Sequence, residues 1–60
     1  MNMQLRLANL ISQVRSELTT PTEAINQAIG YLNAMTDAGE IGSIEKERQL
    51  TNFTEMILTI

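Results

Sequence analysis

Glu45 and Glu47 are the nearest thing in this 60-residue sequence to a paired acid and base. Two carboxylates can divide general-acid and general-base work when both reach one substrate. Residues two apart on a helix point to different sides, so this pair cannot share one. Near a helix start their charges instead favour the positive end of the backbone dipole, which is a structural role. Nucleophilic catalysis is no better supplied. Ser12, Ser16 and Ser43 have no adjacent base, and a chain without histidine or cysteine can build neither a Ser-His nor a Cys-His couple. The same two absences remove the usual zinc and haem ligands. The segment Asp37-Ala38-Gly39-Glu40 has too few oxygen ligands for a calcium loop, and no glycine-rich phosphate cradle is present. The expectation is a protein that is not an enzyme and carries no cofactor or metal.

Charge narrows the partners. The net charge is −3, with four cations against seven acids. Residues 1–20 hold Arg6 and Arg15 against Glu17, whereas residues 21–60 hold only Lys46 and Arg48 against the remaining acids. Nucleic-acid binding draws its affinity from several phosphate contacts at once, and so few cations are a poor footprint for it. The charge is equally thin for a mimic of DNA. No apolar run approaches the roughly 20 residues of a membrane span. The start, Met1-Asn2-Met3-Gln4-Leu5-Arg6-Leu7, lacks the charged region and uninterrupted apolar core of a signal peptide. Absence of cysteine suits a reducing compartment, and the expected location is cytoplasmic.

The elements that would carry any binding surface are three helices. Thr20-Pro21-Thr22-Glu23 reads as a helix start, with a hydroxyl to accept from the Glu23 amide, Glu23 able to reach back to the Thr20 amide, and proline in the first helical position. Gly39 can adopt the left-handed conformation that closes a helix, and Ser43 can cap the next one. Helical spacing then predicts amphipathic segments over about residues 3–18, 21–38 and 44–60. In the first, Met3, Leu7, Leu10, Ile11, Val14 and Leu18 share one arc. In the second, Ala24, Ile25, Ala28, Ile29, Leu32 and Met35 do so. The two alanines allow close approach, which places this helix centrally, and Gly30 falls on the polar face.

The third segment is apolar on two sides. Leu50, Phe53, Met56, Ile57 and Ile60 form one face, while Ile44, Thr51 and Leu58 run down the opposite side. A helix of this kind is usually sandwiched between two neighbours, and a three-helix monomer supplies only one. A chain this short hides only about 60% of its unfolded surface, and without cysteine it has no disulfide to compensate. Self-association is therefore expected, most simply as a symmetric homodimer that completes a helical bundle, with Leu50, Phe53, Ile57 and Ile60 at the interface. Tyr31, Ile44, Thr51 and Leu58 are the expected surface for an unidentified protein partner.

Tyr31-Leu32-Asn33-Ala34-Met35-Thr36-Asp37-Ala38-Gly39-Glu40-Ile41, followed by a glutamate-rich helix, resembles the helical hairpin known as the short C-terminal domain of many bacterial proteins. The resemblance spans about a third of the chain, rests on one glycine turn and one isoleucine, and implies a hairpin without a function. A DNA-reading helix-turn-helix would place Ile44-Glu45-Lys46-Glu47-Arg48 at the start of the reading helix, with two acids where phosphate contacts belong. The reading that follows is an all-helical, non-enzymatic, protein-binding regulator or accessory protein that acts as a homo-oligomer. Its rival is a DNA-associated regulator in which a dimer gathers Arg6, Arg15, Lys46 and Arg48 on one face.

Overall fold

The first helix begins where a side chain takes up its free amides. The computed structural model describes residues 2–60, and Asn2 stands just before α1 (Met3–Arg15), its Oδ1 accepting from the backbone N–H of Gln4 at 2.8 Å and of Leu5 at 3.3 Å. That cap replaces two of the hydrogen bonds a helix start lacks. At the other end the helix stops short of the expected Leu18. Glu17 takes a left-handed backbone (φ 60°), so its N–H reaches the Val14 carbonyl and the Leu18 N–H reaches the Gln13 carbonyl. This pair of bonds closes a helix end, usually with glycine at the left-handed position. With α1 ended at Arg15, Leu18 leaves the apolar arc and is 79% exposed.

α2 (Pro21–Asp37) starts as the spacing predicts, with Pro21 in the first turn and Thr20 Oγ1 accepting from the Glu23 N–H at 3.2 Å. Only half of the reciprocal box forms. The Glu23 carboxylate accepts from the hydroxyl of Thr19 at 3.0 Å rather than reaching back to the Thr20 amide. Thr20→Ala is therefore expected to lower stability by about 0.5–2 kcal/mol in thermal unfolding without affecting any binding activity. Loss of binding at full stability would make Thr20 a contact residue instead. α2 ends as expected at Gly39 (φ 76°), whose N–H bonds the Thr36 carbonyl while that of Glu40 bonds Met35.

The third helix, α3 (Ser43–Leu58), starts differently from the expectation. Gly42 occupies the cap position, Ser43 is already the first helical residue, and no side chain caps the end. Glu45 supplies the negative charge for this first turn and is bound by its own helix, through Gln49 Nε2 at 2.8 Å and the Arg48 guanidinium. The Gln49 amide and then Arg48 hold the Glu45 carboxyl below the usual carboxylate range. The helix stops at Leu58, leaving Thr59 and Ile60 beyond it.

α2 and α3 form a hairpin, and α1 folds back on it. The short connection 38–42 and the Lys46 Nζ donation to Asn33 Oδ1 at 3.3 Å set α2 and α3 antiparallel, with the most extensive packing of any helix pair. Ala24 and Ala28 are fully buried, so α1 and α3 approach the α2 backbone closely, as the small side chains predict. Leu7, Leu10, Ile11 and Val14 of α1 meet these alanines and Phe53 and Ile57 of α3 in one cluster. Leu32 is also fully buried but lies outside that cluster, toward the turn of the hairpin. Among the described residues the core holds no polar side chain.

A folded chain of 6.7 kDa normally exposes about 3,900 Å², and this one exposes 4029 Å². One copy therefore closes its main core without help from a second. Gly30 sits on the exposed side of α2, and a Cβ added there meets nothing within 4 Å. Gly30→Ala is expected to raise stability by about 1 kcal/mol, because the helix gains propensity and loses no contact. A melting temperature that falls would show that the glycine faces something other than open space.

Candidate functional site

The candidate site is α3, which presents three different surfaces. Its inner face carries Phe53 and Ile57, exposed by only 2% and 3%. These two residues, expected at an interface between copies, are packed in the core of the single chain against α1 and α2. Of the other two residues expected there, Leu50 is half-buried and Ile60 is exposed beyond the end of the helix.

The outer face carries the line expected to meet a partner. Ile44 is 86% and Leu58 72% exposed, with Thr51 exposed between them. Successive members are seven residues apart, a spacing that drifts only about 20° per step around a helix and so gives a nearly straight row. Tyr31 does not join it. That ring is partly buried against the core cluster, and the Arg6 guanidinium lies over it at 5.9 Å from the ring centre.

A third surface was not anticipated. Between α1 and α3 runs an open groove of about 270 Å³, floored by Leu7, Ile11 and Phe53. Ala8 and Met56 form its shoulders, and the carboxamides of Gln4, Gln49 and Asn52 complete its lining. Met56 is 49% exposed there. On α3 the row Gln49, Asn52 and Met56 lies roughly 130° around the helix from the outer line. The periodicity of α3 alone could have shown this row, but only the docking of α1 turns it into one wall of a groove.

The cations are dispersed. Arg6 is engaged at Tyr31 and Lys46 at Asn33, two positions of α2 that lie roughly 160° apart around it. Arg48 pairs with Glu45 within α3, and Arg15 stands at the end of α1. Within one chain these groups face different directions. Among the described residues no group of three or more acidic, histidine or cysteine side chains could hold a metal ion. Among the same residues no helix is long and apolar enough to cross a membrane. The arrangement can offer apolar contact and neutral hydrogen bonding, and comparison of the chain with protein-family models, curated proteins and solved structures returns no match.

Proposed function

We propose that this chain is a small, non-enzymatic, cytoplasmic regulator or accessory protein that binds another protein and acts as a homo-oligomer. The observation that carries this reading is the outer row of α3, where Ile44 and Leu58 stand largely exposed on the helix although the core beneath is already closed. Isolated exposed leucines are ordinary, but aligned large aliphatic side chains on a rigid element supply the anchors that dominate protein interfaces. The DNA-associated alternative needs Arg6, Arg15, Lys46 and Arg48 of two chains gathered on one face of a dimer.

The test is capture of binding proteins from the native host with wild type, Ile44→Asp and Leu58→Asp as baits. A protein retained by wild type and lost from both variants, with helical content unchanged, supports the reading. If both variants retain the same proteins as wild type, the row is idle and the reading fails. Tight DNA binding by wild type that weakens steeply with salt would favour the alternative.

A further inference from the structure

We propose that this chain dimerises by exchanging α1: the helix leaves its own α2–α3 hairpin and takes the same seat on the hairpin of a second copy, which returns its own. The inference rests on the homo-oligomeric reading above and gives it a mechanism. It leaves the outer row of α3 free on both hairpins.

The seat identifies its occupant. Leu7, Leu10, Ile11 and Val14 already pack with Ala24, Ala28, Phe53 and Ile57 within one chain, and a second copy carries the same four side chains. Exchange therefore needs no further complementary surface, because the area it buries is the one α1 already hides. Little else fastens α1 to its own hairpin. Among the described residues the side-chain hydrogen bonds and the ion pair are local or join α2 to α3. The Arg6 guanidinium over the Tyr31 ring is the polar contact α1 makes there, and an exchanged α1 makes it equally well with the second copy.

The hinge supplies the drive. What turns the chain back after α1 is Glu17 in the left-handed region at φ 60°, a backbone that disfavours any residue with a Cβ. The same turn throws Leu18 out of the apolar arc and leaves it 79% exposed. Both faults disappear when residues 16–18 become helical. Leu18 then follows Val14 by four residues and Ile11 by seven, and the 7, 11, 14, 18 seam is complete. The chain no longer reverses at Glu17, so α1 is carried away from its own hairpin. The start of α2 stays where it is, because Pro21 disfavours helical backbone at Thr20, which is already extended (φ −88°, ψ 157°). Short hinges that hold strain in the closed form are the ones that invite exchange.

The place where the two hinges meet is also suitable. α2 and α3 run antiparallel, so the hinge joins α2 at the end of the hairpin where α3 finishes and Ile60 stands 53% exposed. Exchange brings two copies of this end together, with Leu18 and Ile60 of each on hand to be covered. Residues 15–20 carry one cation and one acid, Arg15 and Glu17, so the two hinges do not meet as like charges.

The test is sedimentation equilibrium of the full chain, refolded from urea at hundreds of micromolar and then diluted toward micromolar. Wild type should dimerise within this range. Glu17→Gly removes the penalty from the closed form and should raise the dimer dissociation constant at least about tenfold. Leu18→Asp should raise it comparably with an unchanged helical spectrum, because the position is exposed in the single copy. A flexible Gly-Ser segment inserted between Glu17 and Leu18 should give a monomer, since α1 then closes on its own hairpin without strain. Deletion of Glu17 and Leu18 should give a dimer that survives dilution, since the turn can no longer form. Leu58→Asp should dimerise like wild type. A wild type that is monomeric throughout overturns this inference and the homo-oligomeric reading together. A dimer indifferent to Glu17→Gly, Leu18→Asp and the insertion pairs through closed copies, which overturns the exchange and keeps the homo-oligomer. Dissociation by Leu58→Asp alone places the pairing on the outer row and also overturns the exchange. If the deletion variant does not fold, the two substitutions at 17 and 18 and the insertion decide.

Discussion

Phe53→Ala is expected to destabilise the chain by about 3–5 kcal/mol, the range for removing a buried aromatic ring. A domain of 60 residues has only about 3–9 kcal/mol of total stability, so the variant should be mostly unfolded or close to it near room temperature. The reason lies in what the ring touches. Phe53 packs in the cluster that joins α1 to the two alanines of α2, and it also floors the groove. Its loss therefore undercuts the attachment of α1 as well as the α2–α3 contact. Urea unfolding followed by circular dichroism measures the change. A variant whose midpoint moves only slightly would show that the ring is peripheral and that the cluster is held by the aliphatic residues alone.

Leu32→Ala is the second large effect, about 2–5 kcal/mol, because the side chain is fully buried and its removal leaves a cavity. Its expected character differs from that of Phe53→Ala. Leu32 lies toward the hairpin turn, outside the cluster that includes α1, so the loss should fall on the junction of α2 with the first half of α3. Amide exchange should quicken from Leu32 to Lys46 while the amides of α1 from Leu7 to Val14 slow-exchange as in wild type at matched global stability. Equal acceleration in α1 would contradict this division of the core.

The helices were legible because their signals are local. A threonine-proline-glutamate start, a glycine stop and a four-residue recurrence of apolar side chains each act within a turn or two of backbone. Where those signals were absent, boundaries moved. Nothing in Ser16-Glu17-Leu18 marks a helix end, since the left-handed position is taken by glutamate rather than glycine, and the apolar arc was accordingly read through to Leu18. At the start of α3 a hydroxyl at Ser43 is the better cap by type, yet Gly42 takes the position and leaves the end uncapped. The site was less legible for a different reason. Phe53 and Ile57 have the same heptad spacing whether they face their own chain or another copy, and periodicity cannot say which neighbour supplies the contact. The groove needs α1 to be docked before it exists, so no single helix encodes it. The outer row of Ile44 and Leu58 was readable because exposure follows from having three helices and one core.

The two turns of this chain make the same hydrogen bonds but do not hold their helices with equal force. An L-residue in the left-handed region is disfavoured by about 1–2 kcal/mol, and Glu17 bears that penalty where glycine at the equivalent Gly39 does not. The link to α1 is thus strained, whereas the link between α2 and α3 is relaxed, and α1 also has the smaller packing surface on its neighbours. Detachment of α1 relieves the strain and sacrifices less contact than opening the hairpin. It follows that the molecule breathes asymmetrically: the hairpin forms first from local contacts, α1 closes over it last, and α1 is the first element to leave. Native-state hydrogen exchange should show α1 amides opening at lower free energy than those of Ala28 to Leu32, with Glu17→Gly narrowing the gap. Uniform protection across all three helices would contradict that order. Because α1 supplies one wall of the groove, each such opening also takes that wall away, so the groove lasts only as long as α1 stays down.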